Sequence, residues 1–227
     1  IAATGAIVAG GTADITAQNG ALTLDSLRAG GATALEATGS ISLTSATTTA
    51  GAFSAVSSAA GITAGAIDAA GAATLTAAGP VSVTTSLTAG GAADLTTTAG
   101  TLGIANVQAG GALGLRASGA VLLGTAGAGG DLSIRSMAGT ISATSLTSGG
   151  SAAVEGAGLV SITTLLADGD IRLSSSQAGI AASTVTSGGS AVLMAAGDID
   201  GGTIAARDTL AFLAGSSGQG SIRIVDE

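Results

Sequence analysis

A chain of 227 residues with 46% hydrophobic and only 9% charged residues is too apolar to be a disordered polar tract. Its net charge of −8, with arginine as its only basic residue type, disfavours nucleic acid and anionic membrane surfaces as partners. It has no histidine and no cysteine, which removes the commonest metal ligand and general base, and with them thiolate sites and disulfides.

A glycine doublet returns along the whole chain, at Gly10-Gly11, Gly30-Gly31, Gly90-Gly91, Gly110-Gly111, Gly129-Gly130, Gly149-Gly150 and Gly188-Gly189. Ala50-Gly51, Ala70-Gly71, Asp168-Gly169 and Arg207-Asp208 fill the remaining slots, and the step between slots is 19 or 20 throughout. The glycines do not fall at every third position, so the chain is not collagen. A fixed short period is the mark of a solenoid, in which no single repeat buries a core alone.

Within a coil, counted from the second residue of each slot as zero, the elements follow in a set order. A first strand points positions +2, +4 and +6 inward. Position +4 is large and branched, as at Leu35, Leu75, Leu115 and Leu173, and position +6 is small, as at Ala37, Ser57, Ala77 and Ala117. A corner follows, usually with glycine (Gly20, Gly39, Gly61, Gly79, Gly100), which tolerates the positive φ a sharp turn uses. A second strand starts on an apolar column of Leu22, Ile41, Ile62, Val81, Leu102 and Val121, repeated two residues later by Leu24, Leu43, Ala64 and Val83. A third segment carries Leu27, Ile67, Leu87, Val107, Leu146 and Leu165, and the doublet closes the coil. Coils seven, nine and the earlier odd ones reach the second strand at +11 and the others at +10, which reads as a one-residue change at the corner.

Alternation with period two makes these segments strands, and the enrichment in Ile, Val and Thr agrees. The expected fold is all-β: a right-handed parallel β-helix of about eleven triangular coils, with 19–20 residues and three short strands each. Coils stacked at about 4.8 Å give a rod on the order of 50 Å long. A left-handed hexapeptide helix needs an 18-residue coil, which the step does not supply. Residues 1–227 form one array that begins and ends mid-coil. Charges fall at outward odd positions: Asp14, Asp94 and Arg172 at +3, and Glu36, Arg116, Arg135 and Glu155 at +5.

Few motifs carry chemistry. Asp168 with Asp170 and Asp198 with Asp200 read as solvated corner acids, with a weak calcium site as the alternative; the calcium-binding nonapeptide is absent, so no metal is assigned to them. No cofactor or metal is expected, and catalytic residues are expected to be none. A P-loop needs a lysine, which the chain lacks. Thr47-Thr48-Thr49 and Thr96-Thr97-Thr98 suggest an ice-binding face, but no outward column is threonine throughout. The candidate contact site is the ladder Arg116, Arg135 and Glu155 on successive coils. It reads either as a surface ion pair worth about 0–1 kcal/mol or as a site for an anionic glycan. No apolar run is long enough for a transmembrane segment.

The segments Ala-Gly-Gly-Asp-Leu-Ser-Ile (128–134), Asp-Gly-Asp-Ile-Arg-Leu (168–173) and Ala-Gly-Asp-Ile-Asp-Gly (196–201) resemble repeats of filamentous haemagglutinin-type proteins, bacterial surface adhesins exported by two-partner secretion. The resemblance covers essentially the whole chain and implies a right-handed β-helical shaft outside the cell. The expected function is a non-enzymatic structural or adhesive rod at the bacterial surface or in the extracellular space. Its expected partners are cell-surface glycans or proteins. The alternative is a self-assembling extracellular filament whose open edges stack end to end on copies of the chain.

Overall fold

The structure, a computed structural model, describes residues 1–215 and 220–224. It is a parallel β-solenoid of about eleven turns, and the described residues contain no helix. Short strands of five residues, from Ala13–Ala17 to Leu210–Ala214, alternate with long strands of mostly eight, from Ala2–Ala9 to Ile199–Ala206. The short strands form an 11-stranded parallel sheet; the long ones, with Ile222–Ile224, form a 12-stranded parallel sheet. No described helix is long and apolar enough to cross a membrane.

The first segment of each coil is a strand with the expected inward positions. In Leu113–Ala117 the side chains of Leu113, Leu115 and Ala117 are buried and Arg116 is exposed. The second and third expected segments are not separate strands in the ladder: they run together as one long strand. In Leu22–Ala29 the burial runs in-out-in-out-out-in-out-in, so two adjacent residues, Asp25 and Ser26, both lie outside the core. This doubled position reverses the alternation, so Leu22 and Leu24 before it and Leu27 and Ala29 after it all reach the same core.

That core is an aliphatic column with one aromatic among its buried members, Phe53. It stacks like on like along the ladders, as Leu75, Leu95, Leu115 and Ile134 do in register. Among the described residues one buried side-chain polar atom lacks a partner: the hydroxyl of Thr33, 2% exposed, in a column where its neighbours are Ala13, Phe53 and Ala73. Thr33→Val removes that hydroxyl at constant shape. It is expected to stabilise the protein by about 1 kcal/mol, measured as a shift in urea midpoint.

The corner between short and long strand alternates in length. Four residues separate Ala17 from Leu22, three separate Ala37 from Ile41, four separate Ser57 from Ile62 and three separate Ala77 from Val81. The alternation continues as far as Ala195 and Ile199. Side-chain chemistry follows it. From the third coil on, each four-residue corner is preceded by a buried hydroxyl, at Ser57, Thr97, Ser136 and Ser175, whereas the three-residue corners follow Ala37, Ala77, Ala117, Gly156 and Ala195. The longer corner carries one more peptide group, and the hydroxyl bonds that backbone. Ser136 Oγ donates to the Gly119 carbonyl at 2.7 Å and accepts the Gly139 amide at 3.0 Å. Ser175 repeats this with Gly158 at 2.8 Å and Ala178 at 3.2 Å.

Two expectations need correction. The steps of 19 and 20 hold along the short-strand sheet, but Ile199 pairs with Ile222, so the last turn of the long-strand sheet takes 23 residues. Residues 216–219 of that turn lie outside the described residues. Positive φ is also not the general reason for corner glycine: of the corner glycines, Gly20 and Gly100 have it, and Gly39, Gly61 and Gly79 do not. Close approach of coils is the commoner reason. A Cβ on Gly39 would lie 2.8 Å from the carbonyl carbon of Gly20 in the coil beneath.

Candidate functional site

The residues able to meet a partner are those that the strand period turns outward. On the short-strand sheet, Arg116, Arg135 and Glu155 fall in one register column on adjacent strands. Arg135 Nε lies 4.0 Å from Glu155 Oε2, with the side chains 60% and 43% exposed. Such a pair is screened by water and contributes about 0–1 kcal/mol. It is the only ion pair among the described residues, and Arg116 has no acidic partner within that distance.

A second column lies one residue ahead of each short strand. From the second coil to the sixth it is alanine: Ala32, Ala52, Ala72, Ala92 and Ala112. Later it becomes Asp131, Ser151, Asp170 and Ser190. Here the carboxylates bond backbone. Asp131 Oδ1 accepts the Ser151 amide at 2.8 Å, and Asp170 Oδ1 accepts the Ser190 amide at 2.8 Å. Ser151 Oγ accepts the Asp170 amide at 3.3 Å, so the chain of bonds climbs from coil to coil. An aspartate side chain is short enough to reach one coil upward and supply an acceptor that alanine lacks. Beside this column runs an open groove of about 450 Å³, lined in part by Ser133, Arg172 and the four polar corner residues.

Asp198 does the same at the other corner: its Oδ1 accepts the Ser221 amide at 2.7 Å and the Ser221 hydroxyl at 2.9 Å. These bonds, the backbone one first, favour the charged form and hold the Asp198 carboxyl below the ordinary aspartate range. A group with a depressed folded pKa contributes stability above its unfolded pKa and loses it as pH falls through the folded value. The bond to Ser221 is therefore intact at neutral pH; its contribution starts to fall once pH drops below the ordinary aspartate range and is gone only below the depressed folded value. Hydrogen exchange at the Ser221 amide is expected to accelerate on acidification relative to neighbouring amides, and Asp198→Asn is expected to remove most of that response.

The paired acids thus divide their roles: Asp170 and Asp198 cap backbone amides, and Asp168 and Asp200 stand exposed at the sequence neighbours. Among the described residues no three acidic side chains gather closely enough to hold a metal ion. The corner capping column was not singled out from sequence. Its signal was present, as the change from alanine to Asp and Ser at residues 131, 151, 170 and 190.

No family model, curated protein or solved structure matches this chain.

The site is then characterised by its own geometry. Its polar groups are spread along the stack, one or two per coil, and several are already bonded to backbone.

Proposed function

We propose that this chain is a length of non-catalytic shaft in a bacterial surface or secreted protein, a right-handed and three-sided coil that holds other regions at a distance. The observation that carries this reading is the continuity of the short-strand ladder, in which every turn from Ala13–Ala17 to Leu210–Ala214 pairs with the next. A continuous hydrogen-bonded stack around an aliphatic core resists bending and local opening. The doubled outward position in each long strand supports three sides, with the long strand supplying two of them. Parallel strands joined by crossovers favour right-handed winding. The resemblance of segments 128–134, 168–173 and 196–201 to haemagglutinin-type repeats supports the extracellular setting.

Antibody raised against the chain is expected to label intact cells of its source, or the material they release. Labelling only after permeabilisation would overturn the location. Electron microscopy of the purified chain is expected to show short rods, whereas long fibres would favour the end-to-end filament. Turnover of an acidic polysaccharide that is lost in Arg116→Ala or Arg135→Ala would overturn the non-catalytic reading.

A further inference from the structure

The chain has two asparagines, Asn19 and Asn106, and the fold treats them differently. Asn106 is held on both sides. Its Nδ2 donates to the Thr85 carbonyl at 3.0 Å, and its Oδ1 accepts the Thr125 hydroxyl at 2.7 Å. The residue after it, Val107, is β-branched and buried. Asn19 stands exposed in the first four-residue corner, and its side chain has no hydrogen-bond partner among the described residues. The residue after it is Gly20, and a Cβ built there would meet nothing within 4 Å.

The other four-residue corners show why the Gly20 amide is free. Their third residues are Ala60, Gly100, Gly139 and Ala178. Gly139 and Ala178 donate their amides to Ser136 Oγ and Ser175 Oγ at 3.0 and 3.2 Å. Gly100 donates to Ser118 Oγ in the coil above at 2.9 Å. Ala60 has no such bond, but the residue before it is Ala59, which carries no amide side chain. In the first coil the Ser136 position is Ala17, which has no hydroxyl. Thr38, in the Ser118 position, gives its hydroxyl to the Gln18 carbonyl instead. Only at Asn19-Gly20 does an exposed side-chain amide precede an unheld backbone nitrogen with open space around it.

We propose that Asn19 is a site of spontaneous covalent modification, reacting with the Gly20 amide nitrogen, and that the missing hydroxyl at Ala17 is what leaves the site open. The Gly20 nitrogen loses its proton to solvent and attacks the Asn19 side-chain carbonyl carbon. The new N–Cγ bond closes a succinimide ring, and the side-chain nitrogen departs as ammonia. Water then opens the ring at one of its two carbonyls. Breaking the N–Cγ bond gives aspartate. Breaking the bond to the backbone carbonyl gives isoaspartate, whose main chain runs through the former side chain and is longer by a methylene. Water is the sole co-reactant. Glycine suits the step because no side chain shields its nitrogen. An N–H already held in a hydrogen bond gives up its proton less readily, which protects the other corners. The Asp-Gly pairs hold the atoms for the same ring, but the Gly169 amide donates to the Gly150 carbonyl at 2.9 Å and Gly201 is buried within its strand. Either product adds a carboxylate to the chain. The isoaspartyl form also shifts the Gly20 carbonyl, which accepts the Gly39 amide at 2.8 Å.

The test is incubation of the folded 227-residue chain at neutral and mildly alkaline pH, followed by denaturation, trypsin and mass spectrometry. Cleavage at Arg28 places Asn19 in peptide 1–28, and Asn106 falls in peptide 29–116. The expected result is exchange of NH2 for OH in peptide 1–28, resolved as two isomers of equal mass. Its rate is expected to rise with pH and to exceed that in peptide 29–116 by about tenfold or more. Ala17→Ser keeps the Asn19-Gly20 sequence and supplies the hydroxyl. It is expected to slow the reaction about two- to tenfold, the effect of one hydrogen bond on a rate. Asn19→Gln is expected to leave peptide 1–28 unchanged, because its longer side chain closes a less favourable ring. Circular dichroism checks that each variant keeps its strand content. Equal rates at the two asparagines, no product in peptide 1–28, or a parent-like rate in Ala17→Ser overturns the proposal.

Discussion

Leu115→Asp is expected to destroy the central coils. Leu115 is fully buried, in register with Leu95 below and Ile134 above, and no described cation lies in that column. A carboxylate there is either charged without a partner or forced to take up a proton. The effective penalty for such a buried ion is several kcal/mol. In an array stabilised by nearest-neighbour contacts the damage stays local at first, because each coil meets only the two beside it. The flanking ladders then lose their common neighbour. Trypsin is a direct probe, since Arg116 and Arg135 are the arginines nearest the lesion. The parent chain is expected to resist cleavage at both, and the variant to be cut at both under native conditions. Leu115→Ala gives the graded version, a loss of about 2–5 kcal/mol in chemical unfolding. Equal protease resistance in parent and Leu115→Asp would show that the core is not continuous.

Gly129→Val is expected to be the next most damaging change, and for a different reason. A Cβ built on Gly129 falls 2.2 Å from the carbonyl oxygen of Gly110 in the coil below, and that oxygen belongs to backbone. No side-chain rotation relieves the contact, so the coils must separate. The cost is at least the ~1–3 kcal/mol of overpacking. Gly103→Thr is the matched control. Its Cβ meets nothing within 4 Å, and it lies at an outward position of the Leu102–Ala109 strand. There the added side chain is expected to be neutral or to stabilise by about 0.5–1 kcal/mol, through the lower freedom of the unfolded chain. Thermal melts of the two variants should therefore move in opposite directions or differ by several degrees. Equal effects would mean that the doublet glycines are not contact-limited.

The fold was legible because the core is periodic. Each inward column, such as Leu75, Leu95 and Leu115, repeats at a fixed step, and the alternation around it has one reading. The merging of second and third segments was not legible. A doubled outward pair such as Asp25-Ser26 looks in sequence like a turn, yet the strand continues across it: the pairing skips Asp25 and resumes in the same register at Ser26. The arginine column was found by the same counting as the core, since charge at an odd position has no inward reading. The capping aspartates were harder. Asp131 and Asp170 look like any corner acid until the coil above brings the Ser151 and Ser190 amides to them. The hydroxyls at Ser57, Thr97, Ser136 and Ser175 were visible as members of a small column. What they bond depends on a corner length that a column of small residues does not reveal.

That corner length has a genetic consequence. Because four-residue and three-residue corners take turns, neighbouring coils are unlike, and like coils recur every 39 or 40 residues, as from Leu22 to Ile62 and from Ile141 to Ile180. The unit of inheritance is then the pair. A recombination event that drops one coil sets two corners of the same kind against each other, and a hydroxyl such as Ser136 loses the glycine carbonyl it was matched to. An event that drops two leaves every junction as it was. Rods of this kind should therefore differ in length between relatives by even numbers of coils.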